Sequence, residues 1–355
     1  MERESHTPPG TLELDTSLLE GFRFSCRPEC GLCCFTSPRL MGEDERRLRH
    51  VAPAVPIISR DGERCVAARP DGGACQLLRE FRCAHHAARP APCREFPVSV
   101  HVGARLQATL VLSCPGLALD RLESFEAFPS HEPVVGLDSE LGSVRARIGP
   151  ATERLRAEAL RRRRRVVREL STTGRWVDDT EVRRLLGVDR LIPGPEEYLP
   201  SELPELSFGL ERLPMCYDGR RGPMVLAQSA DGWEAHELFP EGGSRRTGMA
   251  VPPAHLPEVD QGAEALLVGY LRYWLSRDCF LGAVQQEMLA RTPGTVAEVA
   301  LEELHAIASD VLARGAVRAQ LRGDAGVRLT RRGVEDGIRA TDQDWLDRPT
   351  WGSRL

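Results

Sequence analysis

The chain contains no lysine and no asparagine, and all 47 of its basic residues are arginine. The codon bias of a GC-rich genome accounts for both absences, so neither is read as a functional signal. No stretch approaches the roughly 18 uninterrupted apolar residues that a membrane helix needs. The opening residues, Met1 to Gly10, are polar and end in a turn-like Pro-Pro-Gly, without the apolar run of a secretory signal. The chain therefore reads as cytoplasmic and free of membrane partners. An excess of positive charge is missing too: the net charge of −5 gives no global case for nucleic acid. There is no Gly-x-Gly-x-x-Gly after a strand, no P-loop and no His-Glu-x-x-His, and no nucleophile–base pair can be named. These absences weigh against a nucleotide-using enzyme but leave chemistry at a metal open, so whether the chain is an enzyme is not decided by sequence.

What the chain has is cysteine. Nine of its eleven cysteines fall in the first third: Cys26, Cys30, Cys33, Cys34, Cys65, Cys75, Cys83, Cys93 and Cys114. Four of them crowd into Cys26-Arg-Pro-Glu-Cys30-Gly-Leu-Cys33-Cys34. A reducing compartment and an odd cysteine total argue for metal ligation over disulfides. Cys30 and Cys33 have the C-x-x-C spacing that brings two sulfurs to one metal. Gly31 allows the sharp turn between them, and adjacent cysteines such as Cys33 and Cys34 usually point different ways, so Cys34 can serve a second centre, a cluster edge or nothing. Phe22 and Phe24 alternate around Arg23 and suggest a short strand leading into Cys26. Pro70-Asp71-Gly72-Gly73 is a turn signal that places Cys65 and Cys75 across a hairpin. Pro90, Pro92 and Pro97 predict an extended, stiff segment presenting Cys93. Val98 to Leu112 reads as a hairpin turning near Gly103 that delivers Cys114. His85 and His86 read as polar loop residues in preference to zinc ligands. Arg89 and Arg94 flank Cys93 and suit hydrogen bonding to sulfur or charge compensation. The distant Cys216 and Cys279 read as ordinary buried cysteines.

The C-x3-C-G-x-C-C opening, the later paired cysteines, Arg89 to Pro97 (Arg-Pro-Ala-Pro-Cys-Arg-Glu-Phe-Pro) and the last cysteine, Cys114, resemble the YkgJ-type, or CxxCxxCC, cysteine-cluster proteins over residues 20 to 118. The resemblance implies a zinc- or iron-chelating domain with ligands Cys26, Cys30, Cys33, Cys34, Cys75, Cys93 and Cys114. It leaves open whether Cys65 or Cys83 is the extra cysteine. It also extends distantly to flagellin lysine methylases, which are linked to an iron–sulfur cluster. Either zinc or an iron–sulfur cluster, of the [4Fe–4S] type for the crowded run, suits four-thiolate sites.

The fold expectation is α+β. After a tail at 1–19, residues 20–118 form a small cysteine-rich metal-binding domain of short strands and loops, and 119–150 a linker with a short helix around Arg121 to Phe128. Residues 151–355 form a mostly helical region with a small β unit near 213–240, built from Pro223–Gln228 and Trp233–Phe239. Helices are expected over Glu43–His50, Ala151–Leu170 and Asp179–Leu186, and from Gln261. The five arginines Arg161 to Arg165 spread round their helix and read as a solvated surface. Thr295 with Glu298 forms a capping box. Gly242 to Arg246 reads as a loop, and Val317 to Thr330 as a hairpin that, with its flanking helices, resembles a winged helix lacking a basic recognition helix. Three functions follow as alternatives: a metal-binding module whose C-terminal region sets a protein partner, an iron–sulfur lysine methylase-like enzyme, or a protein of metal delivery or storage.

Overall fold

A computed structural model describes residues 12–355 except 28–29, 61, 71–72, 126–132, 187–190, 193–214, 219–221, 230, 252, 254, 291–293, 325, 327, 347–349 and 351. Residues 1–11 of the expected tail with their Pro-Pro-Gly, the centre of the Pro70–Gly73 turn and the end of the helix expected near Phe128 lie outside the described residues. The α+β expectation is borne out. Short strands and turns fill the N-terminal third, and helices with one small sheet dominate the rest. The helices are α1 (Asp44–Val51), α2 (Ala91–Glu95), α3 (Asp138–Arg147), α4 (Pro150–Thr172), α5 (Asp179–Leu185), α6 (Gln261–Ser276), α7 (Asp278–Ala290), α8 (Val296–Arg322) and α9 (Arg331–Leu346).

The alternating run Val98–Leu112 forms the expected hairpin. Strands Val98–Val102 and Leu106–Leu110 pair antiparallel with Val100 opposite Ala108, and Gly103 closes the turn onto the Arg105 carbonyl at 2.9 Å. Leu14–Asp15 adds in parallel on one edge, and Ser353–Arg354 adds antiparallel on the other. Both central strands are buried on both faces, so their polar side chains need internal partners. Gln107 supplies them by donating to the Ser276 carbonyl at 3.1 Å and accepting from the Asp278 N–H at 2.7 Å.

The second sheet is antiparallel, in the order Ser244–Ala250, Gly232–Leu238, Gly222–Ser229, Met215–Asp218. The two expected strands are its centre. The loop expected at Gly242–Arg246 is corrected in part: Arg245 and Arg246 lie in a strand opposite Glu237 and His236, and Arg245 pairs with the Glu237 carboxylate at 2.6 Å. A cross-strand charge pair thus favours the strand over the loop that Gly242-Gly243 suggests.

Helix α8 begins as its sequence dictates. Thr295 Oγ1 accepts from the Glu298 N–H at 3.2 Å, and Glu298 accepts from the Thr295 N–H at 2.7 Å. The hairpin expected over Val317–Thr330 does not form. The Ala-, Leu- and Arg-rich stretch extends the established helix to Arg322, where Gly323 at φ 79° stops it. Among the described residues of this stretch, only Arg328–Leu329 is a strand, and it pairs in parallel with Glu258–Val259. The winged-helix resemblance goes with the hairpin. In the expected linker, the helix near Arg121 is a 3-10 turn, Asp120–Ser124, and the longer α3 was missed. Helix α3 buries only Leu141 and Val144, which gives little periodicity to read.

The aromatic stripe of α6 fills the largest hydrophobic cluster. Tyr273 meets Phe22 and Phe125 edge-on, with ring centroids 5.5 and 5.3 Å apart. Beside it, Arg277 and Asp342 form an ion pair with no solvent exposure, Nη1 to Oδ1 at 2.9 Å. The Arg277 guanidinium also donates to Thr109 Oγ1 at 2.9 Å and to the Leu110 carbonyl at 2.7 Å, and stacks 4.0 Å from the centre of the Trp274 ring. Asp342 Oδ2 accepts from the Leu112 N–H at 2.7 Å. This network fastens the second hairpin strand and the turn after it to helices α6, α7 and α9. Asp342→Ala strands a buried guanidinium and should cost roughly 3–5 kcal/mol. Urea denaturation reads this as a lower midpoint, and an unchanged midpoint contradicts the role given to the pair.

Candidate metal centre

Cys26 is brought to the site by extended backbone. Phe24 bridges Leu117, and the Ser25 N–H donates to the Gly116 carbonyl at 3.0 Å. A Cβ on Gly116 would lie 2.6 Å from the Ser25 carbonyl oxygen, so only glycine permits this approach. Gly31 takes a left-handed φ of 57° and opens the 3-10 turn Leu32–Cys34, as the spacing of the run requires. Cys114 follows the hairpin in a turn closed by its N–H on the Val111 carbonyl at 3.1 Å. From α9, Arg339 Nη1 donates to the Cys114 carbonyl at 2.5 Å and Nη2 to the Leu117 carbonyl at 2.9 Å. The last cysteine is therefore held by a helix more than 220 positions away.

Cys75 stands opposite Ala68, not opposite Cys65. Cys65 lies instead on the strand Glu63–Val66, paired with Ile58 on Ile57–Arg60 and bridged to Arg39. The hairpin turns at Gly62, before Cys65, which sequence reasoning overlooked in favour of the later Pro-Asp-Gly signal. The Cys75 N–H donates to the Cys34 carbonyl at 2.6 Å. Cys83 arrives on a second small hairpin, Leu78–Arg79 with Arg82–Cys83. Its two turn residues, Glu80 and Phe81, have φ of 47° and 59°. Both are left-handed, a conformation that costs about 1–3 kcal/mol for such side chains.

Cys93 sits on α2, which corrects the extended segment expected from its prolines. Pro90 is the N-cap and Pro92 lies in the first turn, where a missing N–H is no loss. The buried carboxylate of Asp44 accepts from the Ala91 N–H at 2.8 Å, and Glu95 pairs with Arg147 of α3, so α2 is anchored on both sides. Arg94, expected near sulfur, is instead engaged by Asp44 at 3.3 Å, by Ser143 at 3.2 Å and by the Arg89 carbonyl.

Eight of the nine N-terminal cysteines thus converge electrostatically. The Cys33 thiol is felt by Cys26, Cys30, Cys34, Cys75, Cys83, Cys93 and Cys114. Four sulfurs accept a backbone N–H from the residue two positions on: Cys30 from Leu32, Cys75 from Leu77, Cys83 from His85 and Cys114 from Gly116. Such bonds favour thiolate. Sequence reasoning gave His85 and His86 no such part; His85 contributes its backbone, and His86 is exposed in the turn His86–Ala88.

Burial works against thiolate. It pushes Cys30 and Cys75 up from 9.0 to about 11 and Cys114 to about 12, and it raises Cys26, Cys83 and Cys93 as well. Cys33 and Cys34 share one hydrogen bond between their thiols, which lowers Cys33 and raises Cys34. Arg89 favours thiolate at Cys26, Cys33, Cys83 and Cys93, Arg82 also at Cys26, Arg27 at Cys30, Arg69 at Cys75 and Arg339 at Cys114. Among the described residues, no three Cys, His, Asp or Glu side chains already surround one point as metal ligands. The sulfurs are neighbours, and the donor chemistry fits a thiophilic metal: soft atoms, preformed N–H···S bonds and buried thiols that a cation would deprotonate. Outside this region, Cys279 packs against the main core.

Without metal, the folded chain prefers protonated thiols. Each raised group contributes stability that is complete below its unfolded value near 9.0 and is lost as pH rises through about 11 to 12. Metal-free protein should therefore melt at progressively lower temperature from about pH 8.5 to 11, and metal-loaded protein less so. A melting temperature of the metal-free chain that rises over this range contradicts the assignment.

Residues 25–116 match the family model CxxCxxCC, described as "Putative zinc- or iron-chelating domain". No curated protein and no solved structure matches the chain. The segment holding all nine N-terminal cysteines is thus similar to a family described by chelation of zinc or iron, which bears out the resemblance read from cysteine spacing.

Proposed function

We propose that this is a metal-binding protein in which the N-terminal cysteines hold zinc or an iron–sulfur cluster as thiolates. The observation that carries this reading is that seven thiols from five chain segments all neighbour that of Cys33, four of them already accepting backbone N–H groups. A core filled for packing alone has no reason to spend hydrogen bonds on sulfur. Among the described residues, the cysteines form no disulfide, as a reducing compartment such as the cytoplasm would ensure. Metal supplies the positive charge that lets buried thiols ionise. The chain's own part is to orient the sulfurs: Gly31 and Gly116 turn the backbone, Arg89 lies among the thiols, and Arg339 holds the Cys114 turn. The helical region supports the site through α9 and offers surface for a protein partner.

Anaerobic purification followed by an absorption spectrum, with iron, sulfide and zinc quantified, tests the reading. Either zinc in a colourless protein, or matched iron and sulfide with a visible charge-transfer band, is the expected result, and protein with neither refutes it. In the same assay Cys30→Ser and Cys93→Ser should each lower metal content and melting temperature. Cys65→Ser should keep full metal content, because Cys65 lies on a separate hairpin, paired with Ile58 and bridged to Arg39. Loss of metal in the Cys65 variant would show that the site is drawn too narrowly.

A further inference from the structure

The eight gathered cysteines do not form one undivided set. Backbone contacts sort them into two groups on either side of one peptide bond. On one side, the Ser25–Gly116 hydrogen bond, at 3.0 Å, and the Phe24–Leu117 bridge set Cys26 beside Cys114. The Cys30 N–H donates to the Arg27 carbonyl at 3.2 Å, and the Cys30 thiol neighbours those of Cys26 and Cys114. On the other side, the Cys75 N–H on the Cys34 carbonyl, at 2.6 Å, sets Cys75 beside Cys34. Cys34, Cys75 and Cys83 share one small apolar cluster with Leu48, Val66 and Leu77, whereas Cys114 belongs to the main core. The Ala84 N–H donates to the Leu77 carbonyl at 2.8 Å and holds Cys83 against that cluster.

The sulfur neighbours divide in the same way. Cys30 and Cys33 press on Cys114, and Cys33 and Cys26 press on Cys30. Cys33, Cys75 and Cys93 press on Cys34, while Cys33, Cys75 and Cys83 press on Cys93. Cys33 is the exception: it acts on all seven others and shares a thiol–thiol hydrogen bond with Cys34, so the two groups touch there. Each group also contains two sulfurs that accept an N–H from two residues on, Cys30 and Cys114 in one, Cys75 and Cys83 in the other. The division therefore recurs in backbone pairing and apolar packing.

We propose that the cluster is two adjacent four-thiolate centres, Cys26, Cys30, Cys33 and Cys114 in the first and Cys34, Cys75, Cys83 and Cys93 in the second, parted at the Cys33–Cys34 peptide bond. The inference rests on the metal-binding reading above. Four thiolates are what a closed zinc site or a cubane cluster takes. The ligand chemistry is the same for both, and the metal supplied in the test separates them. The two centres have different supports: α9 holds the first through Arg339, and α2 carries Cys93 of the second.

The test titrates the full-length metal-free chain with cobalt(II) or zinc(II), and in a separate arm reconstitutes it anaerobically with iron and sulfide. Metal content is read by elemental analysis, and cobalt–thiolate bands by absorption. Wild type should take two equivalents of cobalt or zinc, or two clusters. Cys114→Ala and Cys93→Ala should each halve the metal bound, and the double variant should bind none. Saturation of wild type at one centre overturns the partition even if no variant folds. So does complete loss of both centres in a single variant whose circular dichroism matches wild type. Wild type that binds nothing in either arm overturns the metal-binding reading itself, and the partition with it.

Discussion

Eight sulfurs held close together in a partly dry environment are the constraint to which the N-terminal third answers. Thiols packed this way cannot all ionise on their own, because each thiolate raises the cost of the next and burial raises it further. The chain counters that cost with what its sequence places there. Glycines at 31 and 116 bring backbone N–H groups close to sulfur. Arg89 sits among the sulfurs of Cys26, Cys33, Cys83 and Cys93, and Arg339 beside that of Cys114. Arg27, Arg69 and Arg82 add to them, yet burial still holds Cys30, Cys75 and Cys114 above 9.0, and a bound metal would supply the remaining positive charge.

The helical region takes part in this arrangement. Through Arg339 it grips the Cys114 and Leu117 carbonyls, and through Asp342 it accepts the Leu112 N–H. Asp342 is in turn committed to Arg277, which reaches back to Thr109 and Leu110. A buried polar network of this kind is costly unless every member is satisfied, and its satisfaction depends on the hairpin being in register. The turn carrying Cys114 is thus fixed from the far end of the chain.

Much of this was legible in the sequence where local chemistry decides. The Thr295–Glu298 box, the hairpin over Val98–Leu112 and the turn at Gly31 follow from residues within a few positions of one another. The readings that failed needed long-range contacts. Prolines 90 and 92 suggested extended chain, yet Asp44 caps the short helix α2 from elsewhere. The Pro-Asp-Gly turn suggested a Cys65–Cys75 pair, yet the turn before Cys65 sets the pairing. Arg245 and Arg246 became a strand because Glu237 faces them. The grip of Arg339 and the buried Arg277–Asp342 pair had no signal at all, since nothing in an amphipathic pattern marks a charged residue as buried.

The central claim is that thiolate sulfur from this cluster binds metal. X-ray absorption at the metal edge of the purified, full-length protein tests it most directly. The account predicts a first shell of sulfur alone, about four per metal, near ~2.3 Å for zinc. A shell of nitrogen or oxygen would contradict it, because it would place the metal away from the cysteines.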